Sequence, residues 1–509
     1  MTNASGTNLS ERSESCRDAA QDEPRNDIAR SKFGLLIPGA TSKSGEITVY
    51  APYDRKQIGT VATADAVAVE HALKTAHGLY RNRDAWLPAA KRIEILEKAM
   101  ALMKERADFL AVESAREGGK PLVDSKVEVA RAIDSLKICV ETLRTDAGEV
   151  IPMAVTASSA NRIAFTQSEP IGVVVAVSAF NHPLNLIAHQ VGPAIAIGCP
   201  VLVKPAKATP LSCLRFVEIL REAGLPPEWC IPLIPESNEL STKMVTDSRV
   251  AFFSFIGSAK VGWGLRAKLA PGARCALEHG GVAPVVVAAD ADWQAAVPLI
   301  AKGGFYHAGQ VCVSVQRVYV DRAIVEPFAR ALAEAASKLK VGDPTLADTE
   351  VGPMIDPAEV TRVSDWIEAA IAKGAKVLCG RKKLSETCYA PTVLLDPPDD
   401  VRVSTEEVFG PLVCVYGCDR LDDAIARANA LPVSFQAAVF TRSIDTALRC
   451  YQRLDASAVM VNDHTAFRVD WMPFAGLRVS GHGVGGIPYT MHEMQVHKMM
   501  VVRSGEIRR

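Results

Sequence analysis

The chain reads as an α/β protein with two parallel-sheet units and a small β element, and three features point there. Continuous apolar runs rich in β-branched residues occupy 171–177, 201–203, 231–234 and 251–256, the pattern of strands covered on both faces. Helical periodicities separate them at 186–197 and 211–223. The same alternation resumes near residue 283 and continues through the second half of the chain. Strands alternating with helices fold as a parallel sheet with right-handed crossovers, and such sheets collect ligands at the carboxyl ends of their strands.

In chain order, residues 1–34 are polar and lack an apolar signal core, so a disordered arm is expected there. Short strands follow at 47–51 and 58–61, then helices at 65–81, 89–106, 108–117 and 127–145. Their apolar residues recur every three or four positions, as Ile93, Leu96, Met100 and Met103 do. Arg131 and the EGGKP turn at 117–121 stand out from this scaffold layer. Helix 211–223 carries Thr209 as its expected N-cap, Pro210 at its first position and Gly224 past its end. The second unit opens with strand 284–288 and helix 293–302. A glycine-rich loop then leads to Cys312 and an alternating strand through Val313, Val315, Val318 and Val320. Helices at 325–339 and 357–373 follow, with strands near Val377, Val393, Val413, Ala437 and Ala458. The Gly- and Met-rich ending closes with 498–502, which suits an edge strand.

Composition narrows the function classes. A net charge of −1 gives no reason to expect nucleic acid or an anionic membrane as partner. No apolar run reaches the roughly 18–20 residues that span a bilayer. The twelve cysteines are dispersed without a CxxC pair, which points to reduced thiols and a cytoplasmic location. His464, His482, His492 and His497 are irregularly spaced, so no metal site is expected.

Five places carry possible chemistry, each beside a plainer reading. Cys312 lies where a loop meets a strand, which favours a partly exposed thiolate among backbone N–H groups; a small packed hydrophobe is the alternative. Glu278, in LEHGG, is a general base if its cleft is dry and a solvated charge otherwise. Asn181 follows a strand end and is either an oxyanion donor or a cap. The turn FIGSAKVG brings Gly257 and Ser258 to a helix N-terminus suited to phosphate oxygens, or is an ordinary strand–helix turn. Lys204 sits at another strand end, as a ligand contact or a solvated lysine.

The strings AVSAFNHPLN, VLVKPAKATP, FIGSAKVG, LEHGG, GQVC and EEVFGP occur in this order. Together they resemble the aldehyde dehydrogenase superfamily, over essentially everything after the N-terminal arm. The interval of 312 − 278 = 34 residues between glutamate and cysteine fits the same pattern. The resemblance implies an aldehyde dehydrogenase-like fold, with a cofactor domain at 35–145 and 171–282 and a catalytic domain at 283–478. Residues 146–170 and 479–509 would form a bridging element that pairs subunits into a homodimer or homotetramer. It implies Cys312 as nucleophile, Asn181 and the Cys312 N–H as oxyanion donors, and Glu278 as the base that hydrolyses a thioester. NAD or NADP would lie over Lys204, Lys207, Gly257, Ser258 and Gly262, with Glu407 and Phe409 at the nicotinamide ribose.

The chain also departs from that pattern. Lys207 replaces a glutamate that binds the adenosine ribose in many members, which suggests NADP use; the competing reading is a lysine that merely points to solvent. Gln190 and Gly485 stand where a proposed proton relay has lysine and glutamate, leaving Glu278 as the evident base. Val311 replaces an arginine found before the nucleophile in acid-semialdehyde enzymes. Arg131 and Arg468, assisted by His182, sit where relatives acting on small anionic aldehydes hold the anion; the plainer reading is that surface arginines pair with acids, and Asp470 is two residues from Arg468. HTAFRVDWMPF and GGIPYTMHEM look closest to the lactaldehyde, glyceraldehyde-phosphate and phosphonoacetaldehyde branch. The expected substrate is a small anionic or hydroxylated aldehyde. A broad-range aliphatic enzyme and a catalytically silent NAD(P)-binding protein are the alternatives, and Glu278 speaks against a CoA-acylating one.

Overall fold

The structure, a computed structural model, describes residues 32–507. One six-stranded sheet runs in the order Gly481–His482, Arg274–Glu278, Val250–Ile256, Val173–Val177, Val201–Lys204, Cys230–Pro232. Every neighbouring pair is parallel except the edge pair of Gly481–His482 with Arg274–Glu278. Val173–Val177 is buried at every residue. Its alternation serves two cores. Val174 and Ala176 meet helices Ala89–Glu105, Leu122–Thr145 and Asn185–Ile197, while Val173, Val175 and Val177 meet Ala66–Arg81 and Asn238–Val245. Because both faces are roofed, the strand is apolar throughout.

A seven-stranded sheet follows, in the order Lys376–Cys379, Thr392–Leu395, Leu412–Cys418, Val315–Asp321, Ala283–Val287, Gln436–Phe440, Ala458–Val461. Only its first pair is antiparallel. Gln495–Arg503 forms the edge of a three-stranded antiparallel sheet with Arg162–Pro170 and Val150–Ile151. Val150, Ile163, Met499, Met500 and Val501 of that sheet are exposed. Among the described residues, no helix is long and apolar enough to cross a membrane.

Three expectations need correction. The arm does not run to residue 34: Lys32–Phe33 pairs in parallel with Gln57–Thr63, and Phe33 is buried. The rest of the expected arm lies outside the described residues. Thr209 is not an N-cap, because its hydroxyl donates to the Phe180 carbonyl and Pro210 holds the cap position of Leu211–Glu222. The buried Glu117 completes that helix instead, its carboxyl accepting from the N–H groups of Leu211 (2.8 Å) and Ser212 (2.7 Å). Glu128 does the same for Asn185–Ile197, accepting from Leu184 (2.9 Å) and Asn185 (3.0 Å). Side-chain acceptors there satisfy N–H groups that have no intrahelical partner. Finally, the strand after Cys312 begins at Val315, since Ser314 N–H first turns back to the Val311 carbonyl.

Candidate active site

A cavity of about 580 Å³ opens where the two large sheets face each other. Strand ends deliver its key groups. Glu278 ends Arg274–Glu278, Lys204 ends Val201–Lys204, and Asn181 follows Val173–Val177. Cys312 comes from the loop before Val315–Asp321. That loop is unusual, because His307, Ala308 and Gly309 all have positive φ (51°, 53° and 69°). Two consecutive non-glycine residues in this region are unfavourable and persist only where surroundings hold them. Gln310 does the holding. Its amide donates to the His307 and Pro353 carbonyls and accepts from Ile355 N–H, while its own carbonyl accepts from Asn181 Nδ2 at 2.9 Å. The Asn181 amide keeps a second hydrogen for the cavity.

The electrostatics correct the expectation of a ready thiolate. Cys312 is half-buried, and burial, reinforced by the Glu407 carboxyl, pushes its thiol up to about 12, against the pull of Arg468. Burial also raises the Glu278 carboxyl above its ordinary range, opposed by Arg468. Gly485 explains the room Glu278 has, since a Cβ there would fall 2.3 Å from Glu278 Oε1. Gln190 is buried, donating to Val177 O, Ser254 O and Ser254 Oγ; its own oxygen is without a partner among the described residues. Neither residue carries a titratable group, as expected.

Lys204, Gly257, Ser258, Glu407 and Phe409 line the same cavity. Three observations fit a nicotinamide dinucleotide. The Ser258 side chain does not cap helix Ala259–Arg266, so that N-terminus is open to phosphate oxygens. Burial pushes Glu407 up to about 8, and its Oε1 is buried without a partner among the described residues, an acceptor suited to ribose hydroxyls. Gly280 lacks the Cβ that would otherwise lie 1.7 Å from that oxygen. Gly262 does not line the cavity; it makes room for the His279 ring, which a Cβ there would meet at 2.2 Å. Lys207 is exposed and does not line the cavity, and Lys204 is pushed down to about 8, first by burial and then by the Lys207 charge.

The substrate side divides the two arginines. Arg131 closes its fork on Asp470, with Nε to Oδ2 at 3.1 Å and Nη2 to Oδ1 at 2.6 Å, so its charge is already matched. Arg468 is less engaged. Its Nε stands 3.9 Å from Asp470, its Nη2 is 3.3 Å from His189 Nδ1, and its guanidinium lies 3.5 Å over the Phe474 ring. His182 lines the wall beside Asn181. Sequence reasoning missed His189, Gln310 and the reach of Asp470 to Arg131 and His189. One signal was available: His189 and Gln190 are adjacent polar residues in the middle of a mostly apolar, wholly buried helix.

Asp470 is the hub of this side. Burial alone would raise its carboxyl, but the His189 hydrogen bond (2.8 Å) and the Arg131 fork hold it far below the ordinary range. A depressed carboxyl contributes stability that is full above its unfolded value, near 3.9, and lost as pH falls through the folded one. Asp470→Asn is expected to cost about 3–5 kcal/mol at neutral pH, because it strands buried positive charge. Thermal unfolding should show a lowered Tm at pH 7, and the gap to the parent should narrow on acidification.

The family model described as the aldehyde dehydrogenase family matches residues 40–500. The 3-sulfolactaldehyde dehydrogenase of Priestia aryabhattai is 35% identical over 472 residues, 92% of this chain and 98% of its own length. The crystal structure of ALDH21 from Physcomitrella patens, in complex with the reaction product succinate, superposes with a TM-score of 0.89 at 33% identity, covering 94% of this chain and 99% of that one. Glyceraldehyde-3-phosphate dehydrogenase GapN from Methanocaldococcus jannaschii, complexed with NADP, gives a TM-score of 0.85 at 33% identity, covering 91% and 100%.

Proposed function

The chain belongs to the aldehyde dehydrogenase family and is an oxidoreductase acting on aldehydes, and from that premise we propose that Cys312, Glu278 and Asn181 oxidise a small anionic or hydroxylated aldehyde to its acid. One observation carries the assignment: these three side chains, from three separate elements, open on one cavity that the under-paired Arg468 also lines, close enough to act on Cys312 and Glu278. Cys312 Sγ gives up its thiol proton to solvent and adds to the aldehyde carbon. The resulting oxyanion takes hydrogens from Asn181 Nδ2 and the Cys312 N–H. When bound, the nicotinamide supplies the hydride acceptor that converts this thiohemiacetal to a thioester. Glu278 then accepts a proton from water as the water attacks the acyl carbon, releasing the acid and restoring Cys312.

Arg468 supports an anionic substrate end, and the sulfolactaldehyde, succinate and glyceraldehyde-phosphate proteins above share that chemistry. Exposed Lys207 beside Lys204 supports use of NADP, whose 2′-phosphate would meet two cations. The exposed apolar residues of the three-stranded sheet support pairing of subunits into a homodimer or homotetramer.

Absorbance at 340 nm tests the reading across glyceraldehyde 3-phosphate, succinic semialdehyde, lactaldehyde and propanal, each with NAD and with NADP. Charged aldehydes are expected to lead, and Arg468→Met to erase their advantage. Lys207→Glu should turn preference toward NAD by about tenfold, the loss of one charge-assisted contact. Equal or faster turnover of propanal would instead favour the broad-range alternative.

A further inference from the structure

We propose that Lys120, anchored by Glu128, fixes His182 in the tautomer that carries its proton on Nε2, giving the cavity an uncharged N–H donor that recognises a hydroxyl on the carbon next to the aldehyde. This rests on reading the cavity as an aldehyde site, and it narrows the substrate class to 2-hydroxy aldehydes.

The Lys120 and Glu128 side chains are each only 1% exposed. Four donors converge on the Glu128 carboxyl: the N–H groups of Leu184 and Asn185 on Oε1, and Lys120 Nζ with the Ser114 hydroxyl on Oε2. Burial pushes the Lys120 amine down and the Glu128 carboxyl opposes that; charged or neutral, its Nζ donates to Glu128 Oε2 and keeps a further hydrogen to give. That hydrogen goes to His182 Nδ1 at 2.6 Å. Nδ1 therefore holds the lone pair, and the ring proton is on Nε2.

The surroundings keep the ring neutral. Burial, Lys120, His307, Arg131 and Arg468 all oppose a second proton on His182, and Glu128 is already matched by Lys120. His307 stands with its ring centroid 6.3 Å away and is fully buried, and burial and Lys120 oppose a second proton on it too. No hydrogen bond joins His182 Nε2 to a described residue, and the ring lines the cavity beside Asn181. A neutral donor suits a hydroxyl oxygen and leaves the anionic end to Arg468. Lys120 and Glu128 are thus positioning residues acting through His182.

Lactaldehyde and propanal differ only in the 2-hydroxyl and make the direct test. The ratio of their kcat/KM values should fall about three- to tenfold in His182→Phe, the worth of one neutral hydrogen bond. In the parent that ratio should be flat between about pH 6 and 9, because His182 does not titrate there. In Lys120→Met it should become pH-dependent, because His182 can then take a proton and pair with Glu128. Since Lys120→Met leaves a buried carboxylate alone and risks misfolding, ¹⁵N-histidine spectra of the parent provide a second arm. The signals lost in His182→Phe should show an unprotonated Nδ1 that does not titrate. A protonated Nδ1, an ordinary histidine titration, or an unchanged ratio in His182→Phe would overturn the proposal. Absence of Cys312-dependent turnover with either aldehyde would overturn the aldehyde reading itself, and the spectra would still decide the tautomer.

Discussion

Cys312→Ala should lower aldehyde oxidation by about 10⁴-fold or more, the scale on which a covalent nucleophile is lost. The fold should survive, because the side chain sits against Val311, Val313, Phe435 and Phe474, where a methyl group is at home. Steady-state rates with each cofactor measure the first outcome, and a thermal melt the second. Retention of a sizeable share of turnover would remove Cys312 from the reaction. The protein's own electrostatics add a pH prediction. With the thiol pushed up to about 12, thiolate is on the order of 10⁻⁵ of the free protein at pH 7. Alkylation of Cys312 by iodoacetamide should therefore be slow at neutral pH and quicken as pH rises, followed by mass spectrometry of its peptide.

Glu278→Gln carries the second large effect, a steady-state loss of about 10²–10⁴-fold for removing a general base. The glutamine keeps the size of the side chain seated against Gly485 but takes no proton. If thioester hydrolysis is its step, one equivalent of reduced cofactor per site should appear in a burst before the slow phase. A vanished burst would move Glu278 to the first step, and an unchanged steady state would deny it a role as base. The base works as carboxylate, and burial raises its pKa. Parental activity should accordingly lose the Glu278 contribution as pH falls through that raised pKa, and this acid limb should be missing in Glu278→Gln.

The strands were legible because burial on both faces leaves apolar runs such as Val173–Val177 with few competing readings. Cys312, Glu278, Asn181 and Lys204 were legible because each lies at a strand end or loop within a short recurring string, and all four line the cavity. What escaped was pairing across long separations. Thr209 looked like a cap by local rules, yet the carboxyl that completes its helix lies 94 residues from Leu211. Arg131 looked like an anion contact until Asp470, 339 residues away, closed its fork. Gly485 looked like a lost acid, whereas in three dimensions it is the space Glu278 occupies. The upward push on the Cys312 thiol was equally hidden, because it depends on how deeply the loop sinks and on the Glu407 carboxyl.

The carboxyls of Glu117 and Glu128 also bear on building chimeras from related enzymes. The change of character near residue 171 looks like a natural seam for grafting one sheet onto another scaffold. A cut there would strip the acceptors from the N–H groups of Leu184, Asn185, Leu211 and Ser212, at about 1–3 kcal/mol each where they stay buried. A crossover placed ahead of helix Ala107–Gly118 would carry both glutamates with the helices they complete, and the loop presenting Asn181 would travel with its own supports.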